Sequence, residues 1–280
     1  MILLRLRGRL GNHLFQIFAI ISAAIETGQS FGFYQENNNP DEGTWWDSMF
    51  SQLTSQHVFP ETMIHDHTYK EKGSSDFSPL SEVVRKWRNK VGFVDGYLVH
   101  LKYVEKYLHD IVEMLQLKQL QAHVFEKVFP LIPSLIWSNT VSLHFRIGDY
   151  LTTPGVKVLS PQYYEEALAA LVRKVPNFDV IYFCEPADVP TVQPVIRMLE
   201  SKFPGVTFYK VPDGLKDWEE MLFMSCCQHH IIANSTFSFW AALLGVTHDT
   251  DSKWVAYPKE WGKTIMGDAI PPNWIPIHVI

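Results

Sequence analysis

Three polar segments each follow an apolar run that reads as a buried strand, and each carries groups suited to an anion. The first is His144-Phe145-Arg146-Ile147-Gly148-Asp149. Here a strand runs straight into Arg146, whose guanidinium is a rigid fork of donors matched to phosphate oxygens. Pairing with Asp149 is the plain alternative for the same arginine. The second runs from Ile231 through Asn234-Ser235-Thr236-Phe237-Ser238. A strand breaks there into hydroxyl residues at a helix start, where unpaired N–H groups and the helix dipole favour a phosphate. Capping by Ser235 or Thr236, worth about 1 kcal/mol, accounts for those residues without any ligand. The third is Gly8-Arg9-Leu10-Gly11-Asn12-His13, whose glycines allow a tight turn and close backbone approach but lack the complete Gly-x-Gly-x-x-Gly pattern. A turn with Asn12 capping the next helix is its plain reading.

Ligands of parallel sheets bind beyond the carboxyl ends of the strands, so the elements carrying these segments decide their worth. Ile2 to Leu6 reads as a buried strand, and Asn12 to Glu26 as a helix closed by Gly28. Gln35 to Pro79, rich in Asn, Pro, Asp, Ser and His, reads as loops and short helices. Phe93 to Tyr97 reads as a strand ending in a turn, and Leu101 to Leu117 has helical spacing. A first domain closes near Pro133, giving domains of residues 1–135 and 136–280.

The second domain restarts the pattern. Thr140 to Phe145 is a strand, Gly148 to Gly155 a loop, and Pro161 to Lys174 an amphipathic helix with proline in its first turn. Strands over Val180 to Cys184, Val206 to Val211, His230 to Ala233 and Trp254 to Tyr257 alternate with helices over Val189 to Phe203, Trp218 to Cys227 and Phe237 to Leu244. Such alternation predicts an α/β chain of parallel sheets covered by helices. The tail with Pro271-Pro272-Asn273-Trp274 reads as docked.

Composition narrows the function classes. At 280 residues, 46% apolar and 19% charged, the chain is a folded globular protein. A net charge of -6 and a pI near 6.0 exclude a surface built to neutralise many phosphates, so nucleic acid is not the partner. Cys184, Cys226 and Cys227 draw neither a disulfide framework nor a metal site, which fits a reducing cytoplasm. His65-Asp66-His67 and His229-His230 lack partners at ligand spacing, so no metal is expected. The apolar start Met1 to Leu4 is cut by Arg5 and Arg7, too short for a signal core or a membrane span. With nine tryptophans, stacking of sugars on Trp45-Trp46 is conceivable, and burial is the commoner fate of such a pair.

Taken together, Gly11-Asn12-His13-Leu14-Phe15-Gln16, His144-Phe145-Arg146-Ile147-Gly148-Asp149-Tyr150 and Asn234-Ser235-Thr236-Phe237-Ser238-Phe239-Trp240 resemble the motifs of the α-1,2-fucosyltransferase family. Gly96-Tyr97 before Lys102-Tyr103, Tyr163-Tyr164, Met224-Ser225-Cys226 and Pro272-Asn273-Trp274 extend the resemblance, in order, over nearly the whole chain. It implies a GT-B fold of two Rossmann-like domains facing a central cleft, acceptor binding in the first and sugar-nucleotide binding in the second. It further implies inverting transfer from GDP-fucose to a glycan, with no cofactor or metal. By position, Arg146 contacts the β-phosphate, His144, Asn234, Ser235, Thr236 and Phe237 line the donor site, and Gly11 and Asn12 face the sugar.

Two positions depart from the family pattern: Ile147 replaces a second arginine and His13 a glutamine. Protein O-fucosyltransferases, distantly similar, also have isoleucine at the former position and a like glycine turn. For the general base, Asp95, His13 and Asp149 are the candidates, with turn and loop roles open for each. Rival readings are another donor, such as UDP-xylose or GDP-rhamnose, with Ile147 marking a changed pocket, and a glycan-binding module without catalysis.

Overall fold

The computed structural model describes residues 1–34, 45–53, 58–59, 64–72, 77–87, 90–135, 137–245, 253–261, 264–265 and 269–278. Contacts divide the chain into two compact units, Met1–Leu120 with Asp268–Pro271, and Gln121–Gly267 with Pro272–Ile280.

The first unit begins with β1 (Ile2–Leu4), fully buried, and turns at Gly8, whose φ of 77° favours glycine. Helix α1 (Leu10–Thr27) follows, apolar on most of its circumference and buried from Leu10 to Ala24 save for Asn12, as a core helix must be. Gly28, left-handed at φ 67°, closes it by donating to the Ala24 carbonyl. The sheet adds β2 (Phe31–Tyr34), β3 (Val58–Phe59), β4 (His67–Lys70) and β5 (Gly92–Asp95). Its order is β3-β2-β1-β5-β4, all parallel. Helix α2 (Leu80–Arg85) connects β4 to β5.

Two expectations are corrected here. The stretch from Gln35 to Pro79, read as loops and short helices, contains β3 and β4; its residues 35–44, 54–57, 60–63 and 73–76 lie outside the described residues. Strand β4 is His-Thr-Tyr-Lys, half-buried and exposed by turns at the sheet edge, so it carries no apolar run. The helix read over Leu101 to Leu117 is two 3-10 turns, Leu101–Tyr103 and Glu105–Tyr107, then α3 (Leu108–Met114). Gln116 at φ 53° breaks the path before α4 (Leu117–Val128).

The second unit alternates strictly: β6 (Thr140–His144), α5 (Pro161–Val172), β7 (Asp179–Phe183), α6 (Val189–Lys202), β8 (Thr207–Lys210), α7 (Asp217–Ser225), β9 (His229–Ile231), α8 (Thr236–Gly245) and β10 (Val255–Pro258). A small antiparallel pair, β11 (Glu260–Trp261) and β12 (Thr264–Ile265), precedes β13 (Ile275–Ile277). The docked tail is thus a strand, paired with β10. The large sheet is parallel in the order β13-β10-β9-β6-β7-β8. Strands β6 and β7 are buried at every residue, as strands covered on both faces are. Val141, Leu143, Val180, Ile231 and Ala256 form the middle of the core with Tyr163, Leu168 and Leu171 of α5.

The chain lays down β6, β7 and β8 outward on one side, then returns to place β9 and β10 on the other side of β6. The direction of winding therefore reverses between β6 and β9, where the loops leaving the strand ends part and open a crevice. The first sheet reverses likewise between β1 and β5. No helix among the described residues is long and apolar enough to cross a membrane.

Candidate active site

Pairing outlasts β6 by one bond, from Phe145 N–H to the Phe183 carbonyl at 2.8 Å, so strand alternation continues through the loop entry. Phe145 and Ile147 turn into the core of the second unit. His144 and Arg146 take the opposite face and line a cavity of about 710 Å3 including its mouth, bounded also by Glu185, Lys210, Glu220 and Phe237. Ile147, 6% exposed, packs in the core and does not line that cavity.

Arg146 is held by two carboxylates, Nη2 to Asp149 at 2.6 Å and Nη1 to Glu185 at 3.3 Å, and lies 5.3 Å over the Tyr150 ring. The plain alternative of an Arg146–Asp149 ion pair is therefore present. It does not exhaust the arginine, which has five N–H donors in one plane. Tyr150 donates to the Asn234 carbonyl at 2.8 Å, and Asn234 Nδ2 to the Lys157 carbonyl at 2.8 Å, so the loops leaving β6 and β9 brace each other. Two tyrosines of α5 complete the brace: Tyr163 donates to the Ile232 carbonyl at 2.5 Å and Tyr164 to that of His144 at 3.2 Å. Gly148 N–H is held by Asp188 at 3.1 Å.

At the β9 end, Ser235 Oγ accepts the Phe237 N–H at 3.3 Å, an ordinary cap, and Thr236 opens α8. The Phe237 ring lies 5.5 Å from that of His144. His144 is buried, with Nδ1 unpartnered among the described residues. Burial first, then the Arg146 charge, pull its pKa down to about 3, so the ring is neutral. Glu220 is pushed the other way, up to about 7, by burial first and then the Glu185 carboxylate. Chemically, this is a half-enclosed cavity with an arginine, a helix start and an aromatic ring, suited to a phosphorylated ligand carrying a flat base.

The remaining expected residues lie in the first unit. Gly11 is buried in the first turn of α1, whose cap position is Arg9, so Asn12 is not the cap. Asn12 instead lies against Gly8, where a side chain would clash with Asn12 Nδ2. His13 is 2% exposed, edge-on to Trp45 at 5.0 Å, with Nε2 unpartnered among the described residues. Burial lowers its pKa to about 4 against a hydrogen bond with the Gly8 backbone. Asp95 ends β5 and pairs with Arg7 at 2.7 Å. Trp45 and Trp46 are both buried, the commoner fate of such a pair.

The histidine runs have separate duties. His65 stacks on Phe93, Asp66 accepts the Val91 N–H, and His67 stacks on Trp87. His229 bonds Asn139, and His230 bonds Ser142.

Residues of the cavity wall that the sequence did not single out are Glu185, Lys210 and Glu220, and Gln16 of the first unit, part of the motif at Gly11, was given no role. The strand-end rule, applied to β7 and β8, points at Glu185 and Lys210. Gln16 accepts the Arg7 N–H at 2.9 Å and donates to the Arg7 carbonyl at 2.8 Å, fixing the β1–α1 turn like a strand partner. Nothing in sequence marks Glu220, because its burial is tertiary.

Comparison with known proteins bears on the family and the fold. An Escherichia coli O-antigen biosynthesis glycosyltransferase, WbnK, is 32% identical over 131 residues, 44% of this chain and 39% of the relative. An E. coli α-1,2-colitosyltransferase is 30% identical over 111 residues, 38% of this chain and 37% of the relative. The chain thus matches under two fifths of either relative's length. Among solved structures, E. coli ADP-heptose LPS heptosyltransferase II superposes with a TM-score of 0.54 at 10% identity, covering all of this chain and 91% of the other. A family 9 glycosyl transferase from Veillonella parvula gives 0.50 at 11% identity, covering all of this chain and 87% of the other. These likenesses are of fold, the GT-B class expected from the motifs. Residues 80–278, well over half of the sequence, match the profile of glycosyl transferase family 11, and the chain belongs to that family.

Proposed function

We propose that this protein is an inverting glycosyltransferase that moves L-fucose from GDP-fucose to a hydroxyl of a glycan acceptor. The observation that carries the reading is the cavity at the reversal of the second sheet, walled by Arg146, His144 and Phe237. Arg146, the Ser235 cap and the first turn of α8 at Thr236 and Phe237 neutralise the diphosphate without a metal or cofactor. The acceptor oxygen attacks the anomeric carbon from the face opposite the diphosphate. The bond to the phosphate oxygen breaks, its electrons remain on GDP, and the acceptor proton passes to a base.

Of the three bases considered, Asp95 and Asp149 offer carboxylate oxygens held by Arg7 and Arg146. His13, its pKa lowered to about 4 by burial, is neutral and offers Nε2, unpartnered among the described residues, as a third acceptor. Asn12 and Gly11 face the sugar in this reading, with the acceptor held by the first unit. A second reading keeps the chemistry and changes the sugar, and the relative named an α-1,2-colitosyltransferase favours it. Incubation with GDP-fucose, GDP-rhamnose, UDP-xylose and a colitosyl donor, each with a glycan panel, tests both. GDP release with GDP-fucose alone is the expected outcome. Release only from the colitosyl donor selects the second reading, and release from UDP-xylose alone overturns both.

A further inference from the structure

We infer that Glu220 reads the base of the donor nucleotide and selects guanine by accepting its ring N–H and 2-amino group on one carboxylate. The inference rests on the reading that the cavity takes a nucleoside diphosphate.

Glu220 sits in the first half of α7 and lines the cavity that Arg146, His144 and Phe237 also line. The carboxylates around it are engaged. Glu185 holds Arg146, Asp213 holds Lys210, and Asp217 accepts the Trp218 N–H. Its neighbour Glu219 binds Lys127 at 2.7 Å and the Lys216 N–H at 2.9 Å. Glu220, half-buried, makes no side-chain hydrogen bond or ion pair among the described residues. A second buried polar atom on the same wall, His144 Nδ1, is likewise unpartnered. A half-buried carboxylate without a partner is costly, and a ligand offering parallel N–H groups relieves that cost.

Among the common bases only guanine presents two adjacent donors on its pairing edge, the arrangement a carboxylate accepts in bidentate form. Uracil offers one N–H between two carbonyls, which repel the second carboxylate oxygen. Adenine and cytosine offer a donor beside an acceptor, which fits only the protonated acid.

That difference makes base choice pH-dependent. The charges around Glu220 are Asp217 on its own helix, Glu185 beyond β7, Lys210 and Asp213 at the β8 end, and Arg146 beyond β6, while His144 stays neutral. In the empty site the acid is about half protonated at neutral pH. Guanine requires the ionised form, so GDP binding releases a proton and tightens as pH rises from 6 to 8. ADP binding weakens over the same range.

Calorimetric titration of GDP, ADP and UDP into the full chain at pH 6 and pH 8, for the parent and Glu220→Gln, tests this. We expect the parent to favour GDP by about 10- to 100-fold at pH 8, a span typical of one bidentate contact to a base. In Glu220→Gln that preference collapses and GDP, ADP and UDP share one pH dependence, that of their terminal phosphate, which titrates at about pH 6, with the thermal midpoint preserved. A GDP preference unchanged in Glu220→Gln, or GDP binding that weakens as pH rises in the parent, overturns the role of Glu220 and leaves the nucleotide reading standing. Failure of every nucleotide to bind the parent overturns that reading and the inference with it.

Discussion

Two sheets in this chain reverse their winding beside their first strand, yet the two reversal points are finished differently. Beyond β1 and β5 most described polar groups answer one another: Arg7 pairs with Asp95, Gln16 brackets the Arg7 backbone, and Asn12 lies against Gly8. The buried His13, its Nε2 unpartnered among the described residues, packs edge-on to Trp45 and lines neither described cavity. A cavity in that unit lined by Ser22, Glu26 and Lys106 involves none of Gly11, Asn12, His13 or Asp95. Beyond β6 and β9 the backbone is just as firmly braced, by Tyr150, Tyr163 and Tyr164, but Arg146, His144 and Glu220 keep bonding capacity toward a cavity. Topology nominates where a ligand could sit, and unspent donors and acceptors on a cavity wall decide where one is held.

The largest expected effect tests the second reversal point. Arg146→Ala should lower transfer by about 100-fold or more while the thermal midpoint stays near the parent value, because a transition-state charge loses its partner. Normal turnover in that variant removes Arg146 from the chemistry and the distinction with it.

Next is acid stability, to which both regions contribute. His13 and His144 have folded-state pKa values near 4 and 3, below the ordinary 6.5, so the unfolded chain binds more protons. Stability is complete above pH 6.5 and falls as pH drops toward 4, by up to about 1.4 kcal/mol per pH unit for each histidine. His229 and His230, also lowered by burial, act in the same direction. Urea unfolding of the parent and His144→Gln at pH 7, 5.5 and 4.5 should show a shallower loss in the variant. Parallel curves would mean that His144 is not held neutral.

Smaller still, Gln16→Leu should cost about 1–3 kcal/mol in urea, by stranding the N–H and carbonyl of Arg7. A loss below the error of measurement would show that water replaces the bracket. Ile147→Val, finally, should cost about 0.5–1.5 kcal/mol as a core truncation and leave donor preference unchanged. An altered donor preference would bring position 147 back to the pocket, against its place in the core.

Much of the second unit was legible because each of its strands and helices carries its own period. Thr140 to Phe145 and Val180 to Cys184 are apolar runs of strand length, and Pro161 marks a helix start, as Gly28 marks a helix end in the first unit. The edges of the sheets were harder. Strand β4 alternates exposure without an apolar run, and β13 is three residues with Pro276 at its centre, a pattern tolerated at an edge and seldom read as a strand. The helix read over Leu101 to Leu117 misled because apolar spacing does not reveal the left-handed backbone at Gln116. The strand ends and helix starts from which His144, Arg146, Asn234, Ser235, Thr236 and Phe237 were nominated all lie at one sheet reversal, where His144, Arg146 and Phe237 line the cavity.

Residue type and order alone determined that the chain alternates strands and helices, that an arginine leaves one strand and hydroxyls open one helix, and which family its motifs resemble. Those are local properties, written in apolar period and in short runs of polar residues. Tertiary structure decided the rest. It turned Ile147 inward and Arg146 outward, set Glu185 and Asp149 on the guanidinium, and buried His144 and Glu220 enough to move their protons in opposite directions. Burial and charge pairing depend on residues far apart in the chain, and a carboxyl such as Glu220 acquires its character only when those neighbours arrive.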